Sequence, residues 1–205
     1  MQTINYGSNP TVTILIKGSY FNHEELSKHY IKPIQADTGV DCLAVELPYP
    51  SNKITVSQAR KEIQKLLPAL SHAGIQYVYV ADATYFKALT GQAKADTHLG
   101  YVLPCKLKGY EHLYVVLGIN YGQLIYNPNI AEKLELSIQT LTSHIKGEYA
   151  TRGDIIQTAL YPQTEHDIEL ALANLHQHPV LTCDIETTGL TLGSQLFSIS
   201  FAYSQ

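Results

Sequence analysis

Apolar residues along this chain come in short runs separated by capped helical stripes. Thr11–Lys17 (TVTILIK) is a continuous β-branched run that stops at Gly18, which predicts a buried strand. Asn22–Ile31 carries a weaker helical spacing. Val40–Leu47 (VDCLAVEL) predicts a second strand, stopped by Pro48 and Pro50. The clearest helix follows Thr55, because Val56, Ala59, Ile63, Leu66, Leu67 and Leu70 share one stripe. Thr55 and Gln58 stand at capping-box spacing, and Gly74 stands where a helix ends. Ile75–Ala81 predicts a further strand, and Asp82 a cap for a short helix ending near Gly91. His112–Gly118 predicts another strand. Asn129 with Glu132 predicts the start of a long helix that carries Ile130, Leu134, Ile138, Leu141 and Ile145 on one face.

Strands alternating with helices predict an α/β fold, a mostly parallel sheet in a three-layer sandwich with helices on both faces. This first unit is expected to span residues 1–146. Residues 147–163 lack a clear period and contain Gly153 and Pro162, which predicts a connector. A second unit is expected over residues 164–205. There Thr164 and Asp167 cap a helix with Ile168, Ala171, Leu172 and Leu175 on its inner face. Val180–Glu186 then forms a strand and Thr187–Gly189 a turn. Leu196–Tyr203 alternates with period two, placing Phe197, Ile199, Phe201 and Tyr203 on one side.

Charge and composition narrow the function classes. A formal net charge of -4 supplies no global basic field, so any contact with nucleic acid must be local or come from elsewhere. Cys42, Cys105 and Cys183 are too far apart for a zinc spacing and fit reduced thiols in a cytoplasm. The first residues, MQTINYGSNP, show no signal-peptide pattern, and no apolar run is long enough to span a membrane. A cytoplasmic protein without a membrane partner is expected. The 15 tyrosines fit packing better than base stacking, since Tyr77 and Tyr79 alternate on a strand expected to lie under helices. His112 and His144 have no partner at metal-ligand spacing. His176 and His178 lie near a helix carboxyl end, where positive charge is favoured.

The segment Leu181–Leu190 (LTCDIETTGL) carries the candidate chemistry. Asp184 and Glu186 alternate on a predicted strand, so both carboxylates project from one face, about 7 Å apart along it. Cys183 and Ile185 are expected to point the other way, into apolar packing. Two neighbouring carboxylates repel when ionised, and a divalent cation that prefers hard oxygens relieves the conflict. Such a pair suits half of a two-metal phosphodiester-cleaving site.

These residues resemble the first motif of the DEDD 3′→5′ exonucleases. The lead-in TEHDIELALANLHQHPVLTCDIETTGL is similar to the start of the exonuclease domain in phage-like family-A DNA polymerases. The resemblance implies a ribonuclease-H-like segment, incomplete here, in which Asp184 and Glu186 are catalytic metal ligands for Mg2+ or Mn2+. Thr187 and Leu190 would be substrate contacts to a single-stranded DNA 3′ end. It also implies a replicative polymerase with possible replication-protein partners, in a host cytoplasm if phage-encoded. Two further acidic motifs belong to the family pattern, so the chain alone is expected to be inactive.

The first unit resembles the uracil-DNA glycosylases, mainly in order and spacing. LPYPSNKITVSQARKEIQKLLPAL is similar to the loop and helix after that family's second strand, and YVYVADATYFKALTG to its next strand and short helix. LYVVLGINYGQLIYNPNIAEKLELSIQTL is similar to its last strand, DNA-reading loop and closing helix. Asn120, Tyr121 and Gly122 stand where the family has a His-Pro-Ser segment, and Asn120 cannot become cationic. The first-strand motif is reduced to Gly18-Ser19-Tyr20, with no carboxylate. A glycosylase-like unit without glycosylase activity is therefore expected. A non-catalytic DNA- or partner-binding module and an active uracil-DNA glycosylase are the competing functions.

Overall fold

A computed structural model describes residues 2–150, 160–189, 191 and 193–203. The chain divides into two compact units, Met1–Ile155 and Ile156–Gln205. Residues 151–159 of the expected connector lie outside the described residues.

The first unit is built on one six-stranded sheet. Its strands are β1 (Thr3–Tyr6), β2 (Pro10–Lys17), β3 (Asp41–Leu47), β4 (Tyr77–Val80), β5 (Val102–Pro104) and β6 (Tyr114–Leu117), in the order β1-β3-β2-β4-β6-β5. The inner four, β3-β2-β4-β6, run parallel, and each edge strand is antiparallel to its neighbour. The inner strands are covered on both faces, which is why their sequences are runs of apolar residues rather than alternating ones. The mostly parallel α/β sheet matches the expectation. The edge strands β1 and β5 do not appear in the hydrophobic pattern, because they are short and only partly buried.

Two cores flank the sheet. Leu15, Val45, Val78, Val80 and Leu117 meet α3 (Val56–His72) and α4 (Ala83–Thr90) on one side. Val12, Ile14, Ile16, Ala44, Tyr79 and Val116 meet the opposite helical layer on the other. That layer holds α1 (His23–Leu26), a π-helical turn (Ser27–Ile31), α2 (Lys32–Thr38) and α5 (Ala131–Lys146). The expected caps of α3 and α4 are present. Thr55 and Gln58 form a reciprocal capping box, and Asp82 accepts from the amides of Thr84 and Tyr85.

Two details differ from the pattern. The helix expected to end at Ile31 runs on to Thr38, past Pro33. A proline ring clashes with the carbonyl of the preceding turn, but here the π-turn widens that turn. The Lys32 amide accordingly reaches back to the Ser27 carbonyl, five residues away. At α5, Asn129 does not cap the helix. Asn127 instead caps a 3-10 turn, Pro128–Ile130, that leads into it.

The second unit contains α6 (Glu165–Leu175), β7 (Thr182–Thr187) and β8 (Leu196–Ala202). Thr164 caps α6 by accepting the Asp167 amide at 3.1 Å, and the two strands pair antiparallel, both as expected. The expected inner face of α6 is not covered: Ile168 and Leu172 are each 45% exposed. Among its described residues none is buried, so these form no core of their own.

Candidate functional site

Strand alternation puts Asp184 and Glu186 on one face of the β7–β8 hairpin. Their register partners are Ser200 and Ser198, so on that face each carboxylate stands opposite a hydroxyl. The opposite face carries Cys183, Ile185, Ile199 and Phe201. Cys183 and Ile185 were expected to enter apolar packing; both are exposed instead, Ile185 by 52%. A register shift between Glu186 and Thr187 ends the regular ladder just after the second acid. The shift leaves Phe197 without a partner across the ladder.

The turn beyond the acids is built from threonines. Thr187 donates its hydroxyl to the Gly189 carbonyl at 2.7 Å. The Thr188 amide donates to the Gln195 carbonyl, and the Gln195 amide returns a bond to the Thr188 hydroxyl, both at 2.9 Å. Thr187 thus stands next to the acids with its hydroxyl engaged in the turn. Leu190 lies outside the described residues. The oxygen donors on the polar face are of the type that Mg2+ or Mn2+ prefers, and such ions keep several waters when few carboxylates hold them. Among the described residues no cluster of three or more His, Cys, Asp or Glu side chains is present, so Asp184 and Glu186 have no further protein acid beside them.

A second constellation lies at the carboxyl ends of the parallel strands, where open α/β sheets place their crevices. A cleft of about 230 Å³ opens there between β4 and β6, lined in part by Asp82, Asp96, Gly118, Gln123 and Lys133. The loop Gly118–Gly122 that borders it is held from beneath by buried tyrosines. The Tyr30 hydroxyl donates to the Ile119 carbonyl and accepts the Tyr121 amide, each at 2.8 Å. The Tyr79 hydroxyl accepts the Ile119 amide at 3.3 Å and pairs with the Ser137 hydroxyl at 2.7 Å. Burial raises the pKa of both phenols, so they stay protonated in these roles.

The three loop residues singled out by sequence have structural engagements. Asn120 is buried, and its carbonyl oxygen accepts the Gly122 amide at 2.9 Å, capping the 3-10 turn Tyr121–Ile125. Tyr121 donates its hydroxyl to the Tyr20 carbonyl at 2.9 Å and stacks on His29 with ring centroids 5.2 Å apart. Gly122 faces the Tyr20 ring so closely that an added Cβ would lie 2.2 Å from it. Gly18-Ser19-Tyr20 forms a 3-10 turn directly after β2, and Tyr20 packs edge-on against Tyr121 at 6.0 Å. Asp82 is engaged at both oxygens, by the α4 amides and by the Tyr49 hydroxyl.

Tyr30 and Tyr79, which sequence reasoning did not place at this loop, lie 89 and 40 residues from Ile119. The only local signal was the alternation of Tyr77 with Tyr79 on a buried strand. Among the described residues no helix is long and apolar enough to cross a membrane. No protein-family model matches the chain, and no curated protein matches it.

Proposed function

We propose that this chain is part of a replicative family-A DNA polymerase and contributes the first carboxylate motif of its 3′→5′ exonuclease. The observation that carries the reading is the shared polar face of Asp184 and Glu186 on β7, with Ser198 and Ser200 opposite. Nothing in the fold of the hairpin requires acids there. Both residues are exposed, and neither caps a helix nor forms an ion pair among the described residues. A divalent cation gives this placement a reason that packing does not supply. Bound Mg2+ or Mn2+ would supply water activation and leaving-group stabilisation for phosphodiester cleavage. Asp184 and Glu186 would hold it, and Thr187 with Leu190 would flank the terminal nucleotide of a single-stranded 3′ end.

In this reading the first unit is a glycosylase-like module without glycosylase activity. Asn120 spends its carbonyl oxygen on the Gly122 amide, and Tyr121 is occupied by Tyr20 and His29. Asn120 cannot become cationic, so it lacks the charge that a histidine would offer a departing base. Its role is attachment, to DNA or to a replication protein in the cytoplasm.

The test uses the gene product that carries the remaining acidic motifs. Asp184→Ala combined with Glu186→Ala is expected to lower 3′→5′ degradation of single-stranded DNA by at least about a hundredfold. Polymerisation should be retained. The melting temperature should stay within the change expected of about 0.5 kcal/mol, because the replaced side chains are exposed. Wild-type degradation by the double variant would remove these residues from the chemistry, and the absence of polymerase motifs downstream would remove the parent assignment.

A further inference from the structure

One side-chain nitrogen, Nδ1 of His144, is buried without a hydrogen-bond partner, and it is the only such atom among the described residues. His144 lies in the last turn of α5. Its ring packs among three tyrosines drawn from three parts of the chain. Tyr114, at the start of β6, lies 4.6 Å away between centroids; Tyr149, just past α5, lies 5.4 Å away; Tyr77, at the start of β4, lies 5.7 Å away. The Tyr149 hydroxyl accepts the amide of Val102, the first residue of edge strand β5, at 3.1 Å, and donates to the Gly100 carbonyl at 3.5 Å. His144 therefore packs against the side chain that ties residues 147–150 to the sheet edge.

The arrangement suits a neutral imidazole and opposes a charged one. An imidazolium carries a donor on both nitrogens, and the buried Nδ1 would hold a proton with no acceptor. The other titratable groups around it offer no counter-charge. Tyr77, Tyr114 and Tyr149 are phenols. Lys146 of α5 bonds both nearby carboxylates, Asp37 of α2 at 2.9 Å and Glu148 at 3.1 Å. The helix carboxyl end favours a cation, but Lys146 already stands there. Burial holds the His144 pKa below its ordinary value. Protonation thus favours a ring orientation that brings Nδ1 to water, and such a turn gives up the packing against Tyr149.

We propose that His144 and Tyr149 form an acid-released latch that fastens the segment after α5 to edge strand β5. Because the folded-state pKa is depressed, the latch is at full strength above the ordinary histidine value of about 6.5. It weakens as pH falls through that value toward the depressed one.

Amide exchange followed by NMR on the whole chain tests this. Corrected for the intrinsic pH dependence of exchange, opening at the Val102 amide should rise between about pH 7.5 and about pH 5, by up to about tenfold per pH unit. The amides of Leu15 and Val80, in central strands, should not follow. His144→Phe keeps an aromatic ring in the cage without a titrating nitrogen, so Val102 protection should become independent of pH over that range. A His144 ring that titrates at or above the ordinary histidine value overturns the proposal, as does unchanged Val102 protection on acidification. Both measurements use the unaltered chain and stand even if the variant does not fold. A folded His144→Phe that keeps the wild-type pH response also overturns it.

Discussion

Tyr30 shows how much one side chain can decide without any sign in its neighbours. Its hydroxyl donates to one backbone group of the Gly118–Gly122 loop and accepts from another, in a site closed to water. Tyr30→Phe leaves the ring packing in place and strips the partners from the Ile119 carbonyl and the Tyr121 amide. The expected loss is about 1–3 kcal/mol for the buried groups left unpaired, read as a lower urea midpoint with an unchanged slope. A midpoint equal to wild type would show that water replaces the hydroxyl. By contrast, the common facing of Asp184 and Glu186 was legible locally, since alternation alone places both on one side of the strand. Asn120, Tyr121 and Gly122 were legible as a loop but not as a set of internally satisfied groups, because their partners Tyr20, His29 and Tyr30 come from far along the chain.

Elements with strong local signals formed where the pattern placed them. The capping box at Thr55 is the clearest case: the Gln58 amide donates to the Thr55 hydroxyl at 3.3 Å, and the Thr55 amide donates to the Gln58 side chain at 2.9 Å. Thr55→Ala removes the first bond and is expected to cost about 1 kcal/mol, measured as a drop in the urea midpoint. Insensitivity to this change would mean that packing of the α3 apolar stripe alone sets its amino end. The helix continues past Pro33 for a definable reason. Proline marks a probable boundary in isolation, but burial of Tyr30, Ile31 and Ile34 against the sheet favours continuation. The π-turn supplies the geometry that continuation requires. The edge strands β1 and β5 escaped notice because pairing with β3 and β6, rather than burial of an apolar face, holds them.

At the scale of the whole molecule the two units differ in what stabilises them. The first has a core on each side of its sheet. The second exposes Ile168, Leu172, Ile185, Ile199 and Phe201. A two-stranded hairpin with one helix is marginal in water on its own. Residues 1–150 expressed alone should therefore unfold in one cooperative transition, with a midpoint close to that of the same unit in the whole chain. Residues 160–205 alone should show little helix or strand by circular dichroism. A cooperative transition from residues 160–205 would contradict this division.

Local patterns thus settled the parallel α/β layering, the capped ends of α3 and α4, and the facing of the two acids, since each follows from backbone periodicity or from residues within one turn. Tertiary structure alone decided the sheet order, the edge strands, the continuation past Pro33, and the tyrosine supports of the Gly118–Gly122 loop. It also decided the packing of His144 against Tyr77, Tyr114 and Tyr149. These depend on contacts between distant parts of the chain, whose free energy comes from burial and from pairing polar groups out of water, and neither quantity exists until the sheet has formed.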